Sequence, residues 1–284
     1  PMSRQTLPWR EKAAYLSSNI ATAFSWGYIT SYFMIFCTDA VGISAYAFSV
    51  LLLVSRLFDG VTDPLVGYIT DRTVTRWGRY RPWIAASALP VALATCLLFY
   101  QDPAWNPAVR FAWVCGAYLL YLLVFTVFST PLDAMASVMS GSPDARANII
   151  SLKSAAGIVG AMVMTQLATV WFDARGTDQA GTYFQLTVLF GLVSVPLYLL
   201  TPIFCKEKIL PAPKKQQKFH LGAVVRQNIS SQPFRIALAG HFLNGLISYG
   251  RVSIFVYYFK YVAGDIALYA LFTLQMRLPQ IAGT

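Results

Sequence analysis

The 284-residue chain alternates between long apolar runs and short polar ones. A membrane-spanning helix needs about 20 consecutive, mostly apolar residues. Runs of that kind predict helices over 13–37, 45–70, 83–100, 111–138, 149–172, 183–205 and 234–262. An eighth begins near 266 and is still running at Thr284. The runs are long and do not alternate with period two, which rules against strands. The pattern predicts an all-α transmembrane bundle. Six spans precede a polar connection, "KEKILPAPKKQQKFHLGAVVRQNISSQP", in which Pro-Ala-Pro stiffens the backbone and 219–229 suits a short surface helix. The chain then divides into a six-helix unit at 1–205, a basic linker at 206–233 and the first part of a second bundle at 234–284. An end inside a hydrophobic run, and Pro1 ahead of Met2, predict a piece of a longer protein.

Composition agrees with a membrane protein. Apolar residues make up 56% of the chain and charged residues 12%, against about 25% charged in soluble domains. The net charge of +10 is explained by placement, not by nucleic acid. With the N-terminus in the cytoplasm, sixteen of the 22 basic residues fall on the cytoplasmic side and three, Arg110, Arg175 and Lys260, on the other. That asymmetry is the positive-inside pattern. No cleavable signal peptide is read at the polar, basic start, since the first apolar run is too long for one. Cys37, Cys96, Cys115 and Cys205 form no Cys-x-x-Cys pair and read as buried, apolar-like thiols.

The second span breaks the apolar rule. In "RLFDGVTDPLVGYITDRT", 56–73, Arg56, Asp59, Gly60, Asp63 and Gly67 fall at i, i+3, i+4, i+7 and i+11, on one helical face. A carboxylate near a helix centre costs roughly 2.5–3.5 kcal/mol on insertion scales, so two of them require an interior or a water-filled cavity. Two acids one turn apart offer hard oxygen ligands to a small cation; alternatively, one keeps a proton because like charges disfavour double ionisation. An Arg56–Asp59 pair that fixes helix packing is a further reading, and it leaves Asp63 unexplained. Pro64 loosens this helix by freeing a carbonyl one turn back.

The turn that follows, "GYITDRTVTRWGRYRPW", 67–83, resembles the loop between spans 2 and 3 of the major facilitator superfamily. The longer string "RLFDGVTDPLVGYITDRTVTRWGRYRPW" resembles the glycoside–pentoside–hexuronide:cation symporter family within it, matching R-x-x-D-x-x-x-D-P-x-x-G and R-W-G-[KR]-[FY]-[KR]-P-W at every position. "YFMIFCTDAVGIS" and "YYFKYVAGD" agree as well, and the resemblance covers essentially the whole chain. It implies a twelve-helix fold of two six-helix halves, of which this chain holds the first half and the start of the second. In that fold the loop's charges tie helix ends together and release them as the protein changes conformation, a part that falls to Arg56, Asp71, Arg72, Arg79 and Arg81. The implied cation ligands are Asp59, Asp63, Thr62 and, on the fourth span, Thr126, with Na⁺ as the first choice and H⁺ or Li⁺ as alternatives. No cofactor is implied.

The implied sugar positions depart from the melibiose-transporting branch. Ala23 and Ser129 stand where acids would be, and Asp133 where an aromatic contact would be, while the basic Lys153 is kept. A galactoside is therefore a poor expectation. Thr22 and Trp26 offer a hydroxyl and a stacking ring, although a tryptophan in a helix is more often packing. Arg251, in "ISYGRVSIFVYYF", and Lys153 suit the carboxylate of a uronic acid, or else pair with Asp133 or with a residue in the missing part of the fold. His220 and His241 are isolated, with no metal-ligand spacing.

The expected activity is cation-coupled import of a small saccharide by a protein that works as a monomer among lipids of a bacterial inner membrane, N-terminus cytoplasmic, with no nucleic-acid partner. A sugar facilitator or sensor on the same fold is the alternative. A remote one is an intramembrane prenyltransferase, which also uses Asp-x-x-x-Asp with Mg²⁺, but the second acid-rich motif such enzymes need is missing.

Overall fold

A computed structural model describes residues 7–176, 179–209, 230–232, 234–236, 239–240, 243, 254–264 and 267–282. Helix α1 runs Trp9–Ala40, α2 Ala45–Arg72, α3 Arg81–Phe99, α4 Pro107–Met139, α5 Pro143–Arg175 and α6 Ala180–Phe204. These six are long and apolar enough to cross a membrane. Residues 254–262 form the last described stretch of α7, and α8 runs Ala267–Ala282. No strand occurs among the described residues. Most helices outrun the apolar stretches that predict them, although α3 and α6 end one residue short, at Phe99 and Phe204. Pro107 and Pro143 start α4 and α5 outside the hydrocarbon-like segment, where proline's missing N–H costs nothing. Ser44 and Asn106 cap α2 and α4 by accepting the N–H of Ala47 and Val109 at 3.2 and 2.9 Å.

Helix α1 is the most buried of the six and α2 the least. Against α1 lie α5 and α6; α3 packs on α4 and α6, α2 on α4, and α8 on α5. Aromatic rings fill the centre. Tyr28 of α1 meets Phe99 of α3 and Phe190 of α6, with centroids 4.9 and 5.5 Å apart. Phe36 meets Phe99 and Tyr183, and Tyr32 meets Phe172 of α5.

Polar side chains inside the bundle are satisfied locally, as a water-free surrounding demands. Thr22, Thr95, Thr165, Thr169 and Thr187 each donate to the carbonyl four residues back. Ser18 does more. Pro202 has no N–H for the carbonyl of Tyr198, and Ser18 Oγ lies 3.3 Å from that oxygen and 2.7 Å from Thr201 Oγ1. A proline in α6 thus creates an acceptor that α1 uses. The α1–α5 crossing is closer still: a Cβ built on Gly160 lies 2.6 Å from the Ile20 carbonyl oxygen.

Candidate functional site

On the acid-bearing face of α2, Arg56, Gly60 and Asp63 are exposed and Asp59 is half-buried, and Asp63 lies at the edge of the contact with α4. Asp63 Oδ1 accepts a hydrogen bond from Thr126 Oγ1 at 2.9 Å. Arg56 reaches Asp59 Oδ2 at 3.4 Å, so the pair considered from sequence does form, within one helix. The arginine side chain is half-exposed while the Asp59 side chain is 18% exposed. The other carboxylate oxygen of Asp59, Oδ1, is buried and has no hydrogen-bond partner among the described residues. A buried, unpaired carboxylate oxygen is costly, and either a bound cation or a retained proton would remove that cost. Thr62 is buried and its hydroxyl donates to the Phe58 carbonyl at 3.0 Å, which leaves its lone pairs available. Pro64 supplies no N–H to the Gly60 carbonyl between the two acids. The donor set is therefore all oxygen, which suits a hard ion such as Na⁺ and not a thiolate- or imidazole-seeking metal. No cluster of three His, Cys, Asp or Glu occurs among the described residues.

Three of the expected sugar positions lie on α1. Thr22 donates to Ser18, Ala23 opens the π-helical turn Ala23–Gly27, and Trp26 lies in that turn. The π-helical turn adds a residue to the helix, and such insertions often mark functional segments. The Trp26 ring stacks on Phe125 of α4 at 5.1 Å and 12°, so one of its faces is taken by packing. Phe125 was not expected from sequence; its place one residue before Thr126 was the available signal. Ser129 is half-buried on α4. Lys153 of α5 is hydrogen-bonded to Asp133 of α4. Arg251, His220 and His241 lie outside the described residues.

The turn between α2 and α3 is held from a distance. Tyr80 donates to Asp71 Oδ1 at 2.9 Å, and Arg81 Nε donates to the Pro202 carbonyl at 2.7 Å. Burial and then the Asp71 carboxylate push the Tyr80 phenol above its ordinary value, which keeps it the donor. The Arg72 guanidinium lies 4.0 Å over the Tyr68 ring. The residue sequence reasoning passed over is Glu207, one of the acids it treated as scattered. Its carboxylate accepts the backbone N–H groups of Arg79, Tyr80 and Arg81 at 2.8, 2.8 and 3.1 Å. Those are donors at the start of α3 without helical partners. Gly78 makes room for it: φ is +113°, and a Cβ there would meet Glu207 Oε1 at 2.5 Å. Glu207→Ala is expected to cost about 2 kcal/mol and to speed proteolytic nicking in the 73–80 turn; an unchanged unfolding midpoint would refute the capping role. Beside it, Lys208 pairs with Glu11 at 2.8 Å, and Cys205, its thiol pushed up to about 12 by burial and then by Glu11, lies against the Glu11 carbonyl.

Comparisons with known proteins identify the family. Residues 14–284 match the model of the family described as MFS/sugar transport protein. The isoprimeverose transporter of Lactiplantibacillus pentosus is 26% identical over 281 residues, 97% of this chain and 57% of that protein. The inner membrane symporter YicJ of Escherichia coli is 29% identical over 75% of this chain and 46% of its own length. A glucuronide carrier protein homolog of E. coli is 25% identical over 96% of this chain and 60% of its own. The chain spans about half the length of the curated relatives it matches. With the α2 motif, the six apolar helices and the family match in agreement, the chain belongs to the sugar-transport family of the major facilitator superfamily, the glycoside–pentoside–hexuronide:cation symporters.

Proposed function

We propose that this chain is the first half, and the start of the second, of a secondary transporter that couples a cation, Na⁺ first and H⁺ or Li⁺ otherwise, to uptake of a glycoside, pentoside or hexuronide. Residues 1–205 form one rocking unit, 206–233 the linker and 234–284 the beginning of the other; the N-terminus faces the cytoplasm of a bacterial inner membrane, and the protein acts as a monomer. The observation that carries this is the α2–α4 edge: Asp63 bonded to Thr126, and Asp59 with one buried oxygen unpaired. Asp59, Asp63, Thr62 and Thr126 hold the cation as a transported co-substrate. With the site empty the two carboxylates repel one another. A cation neutralises them and draws α2 against α4, which carries Phe125 and, through it, Trp26. Ordering that aromatic corner prepares the saccharide site lined by Thr22, Ala23, Trp26, Ser129, Asp133 and Lys153, with Arg251 as a candidate from α7. By linkage, each ligand then tightens the other, and rocking of the halves about the site carries both across.

The Asp133–Lys153 bond bears on the substrate. It neutralises the lysine, so an acidic sugar must displace Asp133 to use Lys153, while a neutral glycoside meets a site without net charge there. The comparisons favour transport over prenyl transfer, since the named relatives are a transporter, a symporter and a carrier homolog. The test is thermal unfolding of the full-length protein with a panel of neutral glycosides, pentosides and hexuronides, with and without Na⁺, followed by counterflow of any hit. A saccharide that protects only with Na⁺ supports the proposal. Protection indifferent to every cation points to a facilitator or sensor, and no protection by any saccharide refutes the reading.

A further inference from the structure

The ends of α1 and α7 are built alike. Helix α1 closes in a π-helical turn, Phe36–Ala40, and α7 in another, Tyr258–Val262. Each is sealed by the same five-residue bond, Val41 N–H to Phe36 O and Ala263 N–H to Tyr258 O, both at 3.0 Å. In each, the glycine two positions beyond turns left-handed: Gly42 at φ +82° and Gly264 at φ +70°. Both ends lie away from the Glu207 corner, on the side with few basic residues. The two ends meet. Asp39 Oδ2 accepts from Lys260 Nζ at 2.6 Å and from Tyr261 Oη at 2.5 Å. Thr38 Oγ1 donates to Asp39 Oδ1 at 2.8 Å and lies 2.5 Å from Tyr257 Oη. The Lys260 and Asp39 side chains are only 17% and 12% exposed.

We infer that this cluster is an outer latch, holding the saccharide pathway shut on the extracellular side, and that it breaks each time the transporter opens outward. The inference rests on the transport reading above. A short, charge-assisted bond between helices of different halves differs from the Glu207 contacts, which join α3 to the first residues of the linker just after α6 and survive rocking. Desolvation makes the latch two-state. Closed, Asp39 satisfies its charge with Lys260 and with Tyr261, which is exposed at the rim; if the shielded Asp39 and Lys260 side chains part, each ion needs water in place of its partner, so opening requires water to reach them. The cost of parting therefore sets the balance between outward-open and closed forms. A pair that belongs to neither ligand site thus tunes the transport cycle.

Cys37 is a native reporter, since it lies fully buried in the α1 turn, two residues before Asp39. In the full-length protein with every other cysteine replaced, labelling of Cys37 by a membrane-impermeant maleimide is measured on intact cells without saccharide. Asp39→Asn and Lys260→Gln are each expected to speed labelling about tenfold, and the exchanged pair Asp39→Lys with Lys260→Asp to return it toward the parent rate. Should the charge variants fail to reach the membrane, Tyr261→Phe, which removes one hydrogen bond, is expected to give a smaller rise in the same direction. Parent-like labelling in the inserted variants would overturn the latch. Faster labelling in a protein whose parent carries no saccharide would refute the transport reading and leave the latch standing.

Discussion

Asp63→Asn is expected to abolish cation-stimulated uptake, by at least about 100-fold at limiting Na⁺, with the protein still present in the membrane. Asparagine keeps the shape and can still accept the Thr126 hydrogen bond, now 2.9 Å long. What it removes is charge. Charge count among oxygen ligands sets affinity for a hard cation, and Asp59 already spends part of its charge on Arg56. The remaining net charge at the site would then be close to zero. In detergent the variant should lose Na⁺-dependent thermal stabilisation, because a ligand stabilises only the state it binds. Thr126→Val should weaken the cation response less, about tenfold, since it deletes one neutral hydroxyl. Undiminished Na⁺ stimulation in Asp63→Asn would remove the aspartate from the cation site.

Gly160→Ala is the second large effect, and it acts on folding. The added methyl carbon would lie 2.6 Å from the Ile20 carbonyl oxygen and 2.9 Å from the Ile20 Cα. Both are backbone atoms of a helix fixed on its other side by α6, so neither can turn aside as a side chain would. Overpacking of this kind costs up to about 3 kcal/mol. One turn earlier on the same helix, Gly157 has open space where its Cβ would be. Gly157→Ala should therefore be neutral or slightly stabilising through helix propensity. Unfolding midpoints of the two variants in the same detergent decide the matter: equal midpoints would mean that the α1–α5 crossing is looser than described.

The spans were legible because each membrane helix satisfies its own backbone and announces itself by local apolar length. The first six of the expected helices all occur; most ends run one to six residues beyond the apolar run, while α3 and α6 stop one residue short of it, at Phe99 and Phe204. The acidic face of α2 was legible for the same reason, since helical period is a local property. Its partners were not. Sequence treated Glu207 and Asp39 as scattered acids and left Lys153 open between a substrate and Asp133. Three-dimensional placement gives Glu207 to the start of α3, Asp39 to Lys260 and Asp133 to Lys153.

What the sequence determined, then, is the number and extent of the described membrane helices, the face on which the acids fall and the family motif. What only the tertiary structure decided is which charge meets which, that Trp26 spends one ring face on Phe125, and that two matching π-helical turns close on each other. The physical reason is the range of the interactions. Apolar length and helical phase act within one or two turns, whereas a 2–3 Å polar contact between helices depends on the rotation and tilt of both, set by packing across the whole bundle.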